Sequence, residues 1–172
     1  FSGALYAATA RLSKGAVRVW LPQPENRGDA MPATIETTGE FAGWTTWKDE
    51  PFEHETAGPF YYRVEDGKGV SAFRAARKHM NGAGVMHGGC LMTFADFALF
   101  AIAHEAMAGS YGLTVAFTSE FLDGAKEGEL VEARGETLRA GGSLVFVRGI
   151  VTSGGRPCLN FSGTIKKLRK QP

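Results

Sequence analysis

An α+β architecture, an antiparallel sheet wrapped around one long central helix, is predicted by three stretches of the sequence. Residues 90–103, CLMTFADFALFAIA, are almost wholly apolar and too long for a strand. Residues 60–75, FYYRV-EDGKG-VSAFRA, set two runs of strand-forming residues around an Asp-Gly turn. The second half of the chain alternates apolar and polar residues between Gly-rich breaks, which is the period of half-buried strands. A hairpin, one buried helix and a meander of strands can share a single core only if the sheet packs on the helix.

The elements follow in order. Residues 22–34, PQPENRGDAMPAT, are rich in Pro and polar residues, so residues 1–35 are expected to be an N-terminal extension or linker, with Met31 as the natural start. Residues 36–172 are expected to form the domain, in which aromatic density rises from FAGWTTW onward. The hairpin of residues 60–75 comes next, and the Gly-rich NGAGVMHGG leads into the helix. On that helix Leu91, Phe94, Ala98 and Ala101 share one side and Met92, Leu99 and Ala103 another, so it is expected to be buried all round. Four antiparallel strands follow: LTVAFTSEF, with Leu113, Val115, Phe117 and Phe121 expected on one face; ELVEARGETL; SLVFVRGIV; and PCLNFSGTI, with Leu159, Phe161 and Ile165 on one face. DGAKEG, AGG and SGG between them are turn chemistry.

Composition removes several function classes. A chain of 172 residues, 44% hydrophobic and 22% charged, is long enough for one buried core. Its net charge of +1 and the lack of a dense basic block before KKLRK offer no nucleic-acid footprint. The longest apolar run falls short of the ~20 residues that span a bilayer and contains Asp96, so no membrane helix is expected. Cys90 and Cys158 form no metal-binding pair, and the four histidines never fall in an HxH or HExxH pattern, so no metal is expected. Two unpaired cysteines suit a reducing compartment, which makes the cytoplasm the expected location. Cys90 is read as a packed thiol, since no His/Asp set surrounds it.

The residue that composition does not explain is Asp96, a lone carboxylate in the most hydrophobic stretch of the chain, where burial is costly. It closes NGAGVMHGGCLMTFAD, residues 81–96. This stretch resembles the signature of the hotdog-fold acyl-CoA thioesterases of the phenylacetate-degradation type: Asn81, then His87-Gly88-Gly89, then Asp96 on the central helix. The resemblance extends from about Phe41 to Leu168 and implies hydrolysis of acyl-CoA to the free acid and CoA, with no cofactor. It implies that Asp96 is nucleophile or general base, that Asn81 and His87 position the substrate carbonyl and shape the loop, and that Thr114 touches the attacking water. Gly142 and Ser143 are implied to lie near the pantetheine arm, and Gly89 to bind substrate at the start of the helix.

The physical chemistry of the stretch agrees. Gly88 and Gly89 stand at the start of the helix, where backbone N–H groups lack intrahelical acceptors and the helix dipole is positive. Without a Cβ, a carbonyl can approach these donors closely, which is what an oxyanion hole requires. Desolvation in an apolar stretch raises the basicity of Asp96. At a rise of ~1.5 Å per residue, Gly88 and Asp96 on one helix are ~12 Å apart, too far to act on one carbon. The resemblance implies that a homodimer or dimer of dimers supplies Gly88 from one copy and Asp96 from the other.

Two other readings stand beside this one. A hotdog hydratase or dehydratase would carry Asp before His in a D-x-N-P-x-H order, which this sequence lacks. A non-catalytic acyl-CoA-binding or sensing protein would have no need of Asp96, and residues 1–35 contain no helix-turn-helix pattern or basic stripe of the kind a DNA-binding sensor carries.

Overall fold

A computed structural model of the chain describes residues 9–12, 15–18, 33–108 and 110–168. Within the first 31 residues, β1 (Thr9–Leu12) and β2 (Gly15–Arg18) pair antiparallel, with Thr9 opposite Arg18 and Leu12 opposite Gly15. The unit from Pro32 onward carries everything described below.

That unit is an eight-stranded sheet around one long helix, the hotdog architecture. Two short strands, β3 (Thr34–Ile35) and β4 (Thr45–Thr46), lead to the hairpin of β5 (Tyr61–Glu65) and β6 (Lys68–Arg74). Asp66 and Gly67 both adopt positive φ at its tip, the conformation that a two-residue Asp-Gly turn demands. The helix α1 (Gly88–Ile102) follows, then one further turn, α2 (His104–Met107). Four long strands come last, β7 (Tyr111–Phe121), β8 (Leu130–Ala140), β9 (Leu144–Ser153) and β10 (Arg156–Leu168), of which only β8, β9 and β10 run as the expected meander. The strand order is β3-β4-β5-β6-β8-β9-β10-β7, antiparallel throughout, so β7 crosses over to form one edge.

The core is the layer between α1 and the sheet. Leu91, Phe94, Phe97, Ala98 and Leu99 of the helix meet Phe73, Val131, Val147, Leu159, Phe161 and Ile165 of the strands, all essentially without solvent exposure. Leu159, Phe161 and Ile165 do share the inner face, as the alternation predicts. Helix and sheet approach closely enough that a Cβ at Gly69 would lie 1.8 Å from the carbonyl oxygen of Ala101, and one at Gly163 would lie 2.4 Å from Leu99 Cδ1. At Gly69 the obstacle is backbone and only glycine fits, whereas a side chain at Gly163 would have to push the buried Leu99 aside.

Two expectations are corrected. The helix is not buried all round: Gly89 and Met92 are exposed and Thr93, Asp96 and Phe100 half-buried, so one stripe at three- and four-residue spacing faces away from the sheet. Nor do the four apolar residues of β7 share a face. Thr114 and Ala116 are consecutive partners of Ile165 and Thr164, which leaves Val115 as a bulge that shifts the alternation by one. Leu113 and Val115 are therefore outward, 51% and 54% exposed, while Thr114 before the bulge and Phe117 after it turn inward.

Candidate functional site

Asp96 lies on the open stripe of α1, half-buried, and β7 brings Thr114 to it: the Thr114 hydroxyl donates to Asp96 Oδ1 at 2.7 Å. The bulge at Val115 helps set this contact by fixing the face that Thr114 presents. Burial pushes the Asp96 carboxyl above the ordinary aspartate range, and the Thr114 hydrogen bond pulls it part of the way back by favouring the charged form. Among the described residues Asp96 has no ion-pair partner. A carboxylate held by one hydroxyl in a largely dry surrounding is a base of raised strength. Replacing Thr114 with Val removes that hydrogen bond, so the Asp96 titration, followed by carbon NMR of its carboxyl, is expected to move to higher pH; an unmoved titration would show that the hydroxyl does not bear on the charge.

The start of α1 is built by His87. As N-cap residue it accepts the Gly89 N–H on Nδ1 at 2.9 Å, which places its ring proton on Nε2. Its carbonyl accepts the Cys90 and Leu91 N–H groups at 2.9 and 3.3 Å. The reading of two free amides at Gly88 and Gly89 is thereby refined: His87 takes up Gly89, and Gly88 N–H is left without an acceptor among the described residues. The Phe121 ring lies beside this residue, 2.9 Å from where a Gly88 Cβ would stand. One N–H without an acceptor at the positive end of a helix, on a residue flanked by an aromatic ring, is a donor available to an oxygen.

Asn81 shapes the approach. Its side-chain oxygen accepts from Ala83 N–H at 2.8 Å and Val85 N–H at 3.4 Å, and its backbone N–H reaches Val85 O at 2.8 Å. The loop is tied to the helix start, since His87 N–H donates to His79 O and Met86 N–H to Ala125 O, both at 2.8 Å. Gly142 and Ser143 sit in the turn between β8 and β9. Register puts Val145 opposite Ile165 and Ile165 opposite Thr114, so this turn is two strands across from Thr114, at the end of the sheet away from Gly88. Within one chain Asp96 and Thr114 meet, His87 and Gly89 meet, and Gly142 and Ser143 stand apart from both pairs.

One residue near Asp96 had no signal in the sequence. A single π-helical turn, Pro51–Thr56, packs against α1 and carries Glu53, whose carboxyl is pushed up to about 7 by burial first, then by the negative charges of Asp96 and Glu50. PFEHET has no period that would mark it as buried. Cys90, by contrast, behaves as a packed thiol: burial raises it to about 11, which suppresses the thiolate. No group of three or more His, Cys, Asp and Glu residues among those described could hold a metal ion, and no described helix is long and apolar enough to cross a membrane.

Residues 83–159 match the Thioesterase superfamily model, a span that holds Gly88, Asp96, Thr114, Gly142 and Ser143. Among solved structures, the chain is similar to a hypothetical thioesterase with coenzyme A from Streptococcus pneumoniae, at 21% identity over 73% of this chain and 98% of that one, with a TM-score of 0.62. It is similar to a mutant of the phenylacetic acid degradation protein PaaI from Thermus thermophilus, at 28% identity over 69% of this chain and all of that one, with a TM-score of 0.59. A third likeness is to the smu.793 protein from Streptococcus mutans bound to acetyl CoA, at 20% identity over 66% and 91% of the two chains, with a TM-score of 0.58. No curated protein matches the chain in sequence.

Proposed function

We propose that this protein is an acyl-CoA thioesterase that hydrolyses acyl-CoA to the free acid and CoA. The observation that carries the reading is Asp96: a half-buried carboxylate without an ion-pair partner among the described residues, hydrogen-bonded by Thr114 at 2.7 Å, on the one stripe of the core helix that its own sheet leaves open. The Thioesterase superfamily match over residues 83–159 and the 28% identity to the phenylacetic acid degradation protein PaaI support it. So do the likenesses to proteins crystallised with coenzyme A and acetyl CoA, as far as fold goes.

In this reading the thioester carbonyl lies between two copies of the chain. Gly88 N–H of one copy polarises the carbonyl oxygen and stabilises the charge that develops there. Asp96 of the other attacks the carbonyl carbon or takes the proton of an attacking water. His87 holds Gly88 in register by capping the helix, and Asn81 holds the loop that precedes it. The open stripe with Met92, Asp96 and Phe100, and the β7 edge with Leu113 and Val115, form the face that a second copy covers, in a homodimer or a dimer of dimers. The domain is taken as residues 36–172, with residues 1–35 as an extension or linker, and the cytoplasm as its location. No metal or organic cofactor takes part.

The experiment is a thiol-release assay across aryl, short-chain and long-chain acyl-CoA esters with no metal added. Release of CoA from at least one ester, insensitive to a chelator, is the expected result. Binding of acyl-CoA with no release from any ester would instead favour a binding or sensing role, and hydration of an enoyl-CoA would favour the hydratase reading.

A further inference from the structure

The π-helical turn that carries Glu53 is a pinned strap across α1. At one side His54 Nδ1 is 3.1 Å from Thr46 Oγ1, which itself donates to Phe60 O at 2.8 Å, so the ring nitrogen is the donor in that pair. On the other side Lys78 Nζ donates to Thr56 O and Gly58 O at 3.1 and 2.6 Å. Gly58 closes the strap so tightly that a Cβ there would be 2.0 Å from Glu53 O. Beside it Trp47 stacks on Tyr62 with centroids 5.0 Å apart and meets the Phe97 ring edge-on at 4.9 Å, next to Asp96 on the helix. These anchors hold the strap and its half-buried glutamate against α1, close enough for the Asp96 charge to act on the Glu53 carboxyl.

We propose that Glu53 is a second catalytic carboxylate of this site, the group that carries the proton needed by the leaving sulfur. The inference rests on the thioesterase reading above. A thioester expels an alkyl thiolate, whose conjugate acid is of the order of cysteine's, ~8.5, and which leaves more easily when protonated. Asp96 serves that step poorly, because it must be charged to act as nucleophile or base. A neighbour that keeps its proton while Asp96 is charged completes the pair.

The charges that act on Glu53 are negative: Asp96 from α1 and Glu50, the residue that precedes the strap. Lys78 is committed to the strap carbonyls and His54 to Thr46, so neither is turned to neutralise it. Burial and these charges hold its carboxyl near 7, where about half of it is protonated at neutral pH.

The proton balance closes by either route. With Asp96 as base, water loses a proton to Asp96 as its oxygen bonds to the carbonyl carbon. The carbon–sulfur bond then breaks, the sulfur takes the Glu53 proton, and the Asp96 proton passes to Glu53. With Asp96 as nucleophile, the Asp96 oxygen displaces the sulfur, which takes the Glu53 proton and leaves a mixed anhydride. Water then adds to the acyl carbon, gives a proton to Glu53, and releases the acid and the Asp96 carboxylate.

The test compares wild type, Glu53→Gln and Glu53→Asp on an acyl-CoA that the wild type hydrolyses and on the nitrothiophenyl thioester of the same acid, whose leaving thiolate needs no proton. Glu53→Gln is expected to lower kcat/KM on the acyl-CoA by about 30-fold or more and on the nitrothiophenyl ester by less than about 3-fold. The fall of wild-type kcat/KM as pH rises through about 7 should disappear in Glu53→Gln and persist, at lower rate, in Glu53→Asp. Because the substrate ratio is measured on one protein, a partly unfolded variant does not alter it. Equal losses on the two substrates, or an unchanged high-pH limb, overturn the role of Glu53 and leave the thioesterase reading standing. A wild type that cleaves neither kind of thioester overturns both.

Discussion

Asp96→Asn is expected to yield a folded protein that still binds acyl-CoA and turns it over at least ~100-fold more slowly, the scale of a lost general base. The amide keeps the volume of the carboxyl, and its oxygen can still accept the Thr114 hydrogen bond now made at 2.7 Å. What it removes is a charge that no cation of the described residues neutralises. A structural ion pair broken in this way would cost about 3–5 kcal/mol, because the partner charge would be left buried. Here the sign is opposite. The Asp96 carboxyl is raised in the folded state, so the folded protein holds a proton that the unfolded chain has already released. Its contribution is favourable below the ordinary aspartate value of 3.8 and is lost as pH rises through the raised value. At neutral pH the charged Asp96 therefore costs stability, and Asn should hold or raise the melting temperature there while flattening its dependence on pH. Melting temperature, acyl-CoA affinity and rate, measured on one preparation, separate the two cases. A variant that hydrolyses acyl-CoA at the wild-type rate would remove Asp96 from the mechanism.

The same carboxylate marks what could be read from the sequence. Asp96 stood out because a lone acid in an apolar helix contradicts its neighbours, and the helix and the four strands after it stood out because their periods run for ten residues or more, although their order in the sheet did not. The faces were harder. Val115 bulges out of register, so Leu113 and Val115 point away from Phe117 although all fall on alternate positions of the sequence. Met92 reads as core because the open stripe of α1 is as apolar as a buried one, and composition does not tell a face covered by the sheet from one left for another surface. Thr114 entered only through a resemblance, since a threonine in a strand is ordinary until its partner is known. Glu53 had no signal because its burial arises from a strap pinned by Thr46, Lys78 and Gly58, residues scattered over more than thirty positions.

The shared site predicts that two inactive variants restore each other. Gly88 is the first residue of α1, where a proline is tolerated because its missing N–H has no intrahelical acceptor. His87, with φ −63° and ψ 131°, already has the extended conformation that a following proline requires. Gly88→Pro therefore deletes the one N–H proposed to bind the oxyanion while keeping the helix start, and the added ring has only to displace the exposed, side-chain end of Phe121. Alone, it should lose ~100-fold or more in rate, the effect of a missing oxyanion donor. Asp96→Asn is inactive for a different reason. On one helix Gly88 and Asp96 are ~12 Å apart, so each complete site needs one residue from each copy. A dimer of the two variants then holds one site with both defects and one with neither. Co-expressed in equal amounts, half of the dimers are mixed and half of their sites intact, so about a quarter of wild-type activity should return. The check is a thiol-release assay on the co-expressed pair; the mixed dimers alone, purified through different tags on the two chains, should reach about half of wild-type activity. Activity no higher than that of either variant alone would mean that Gly88 and Asp96 do not meet across two copies, and the carbonyl would have to be held by a donor within the chain that carries Asp96.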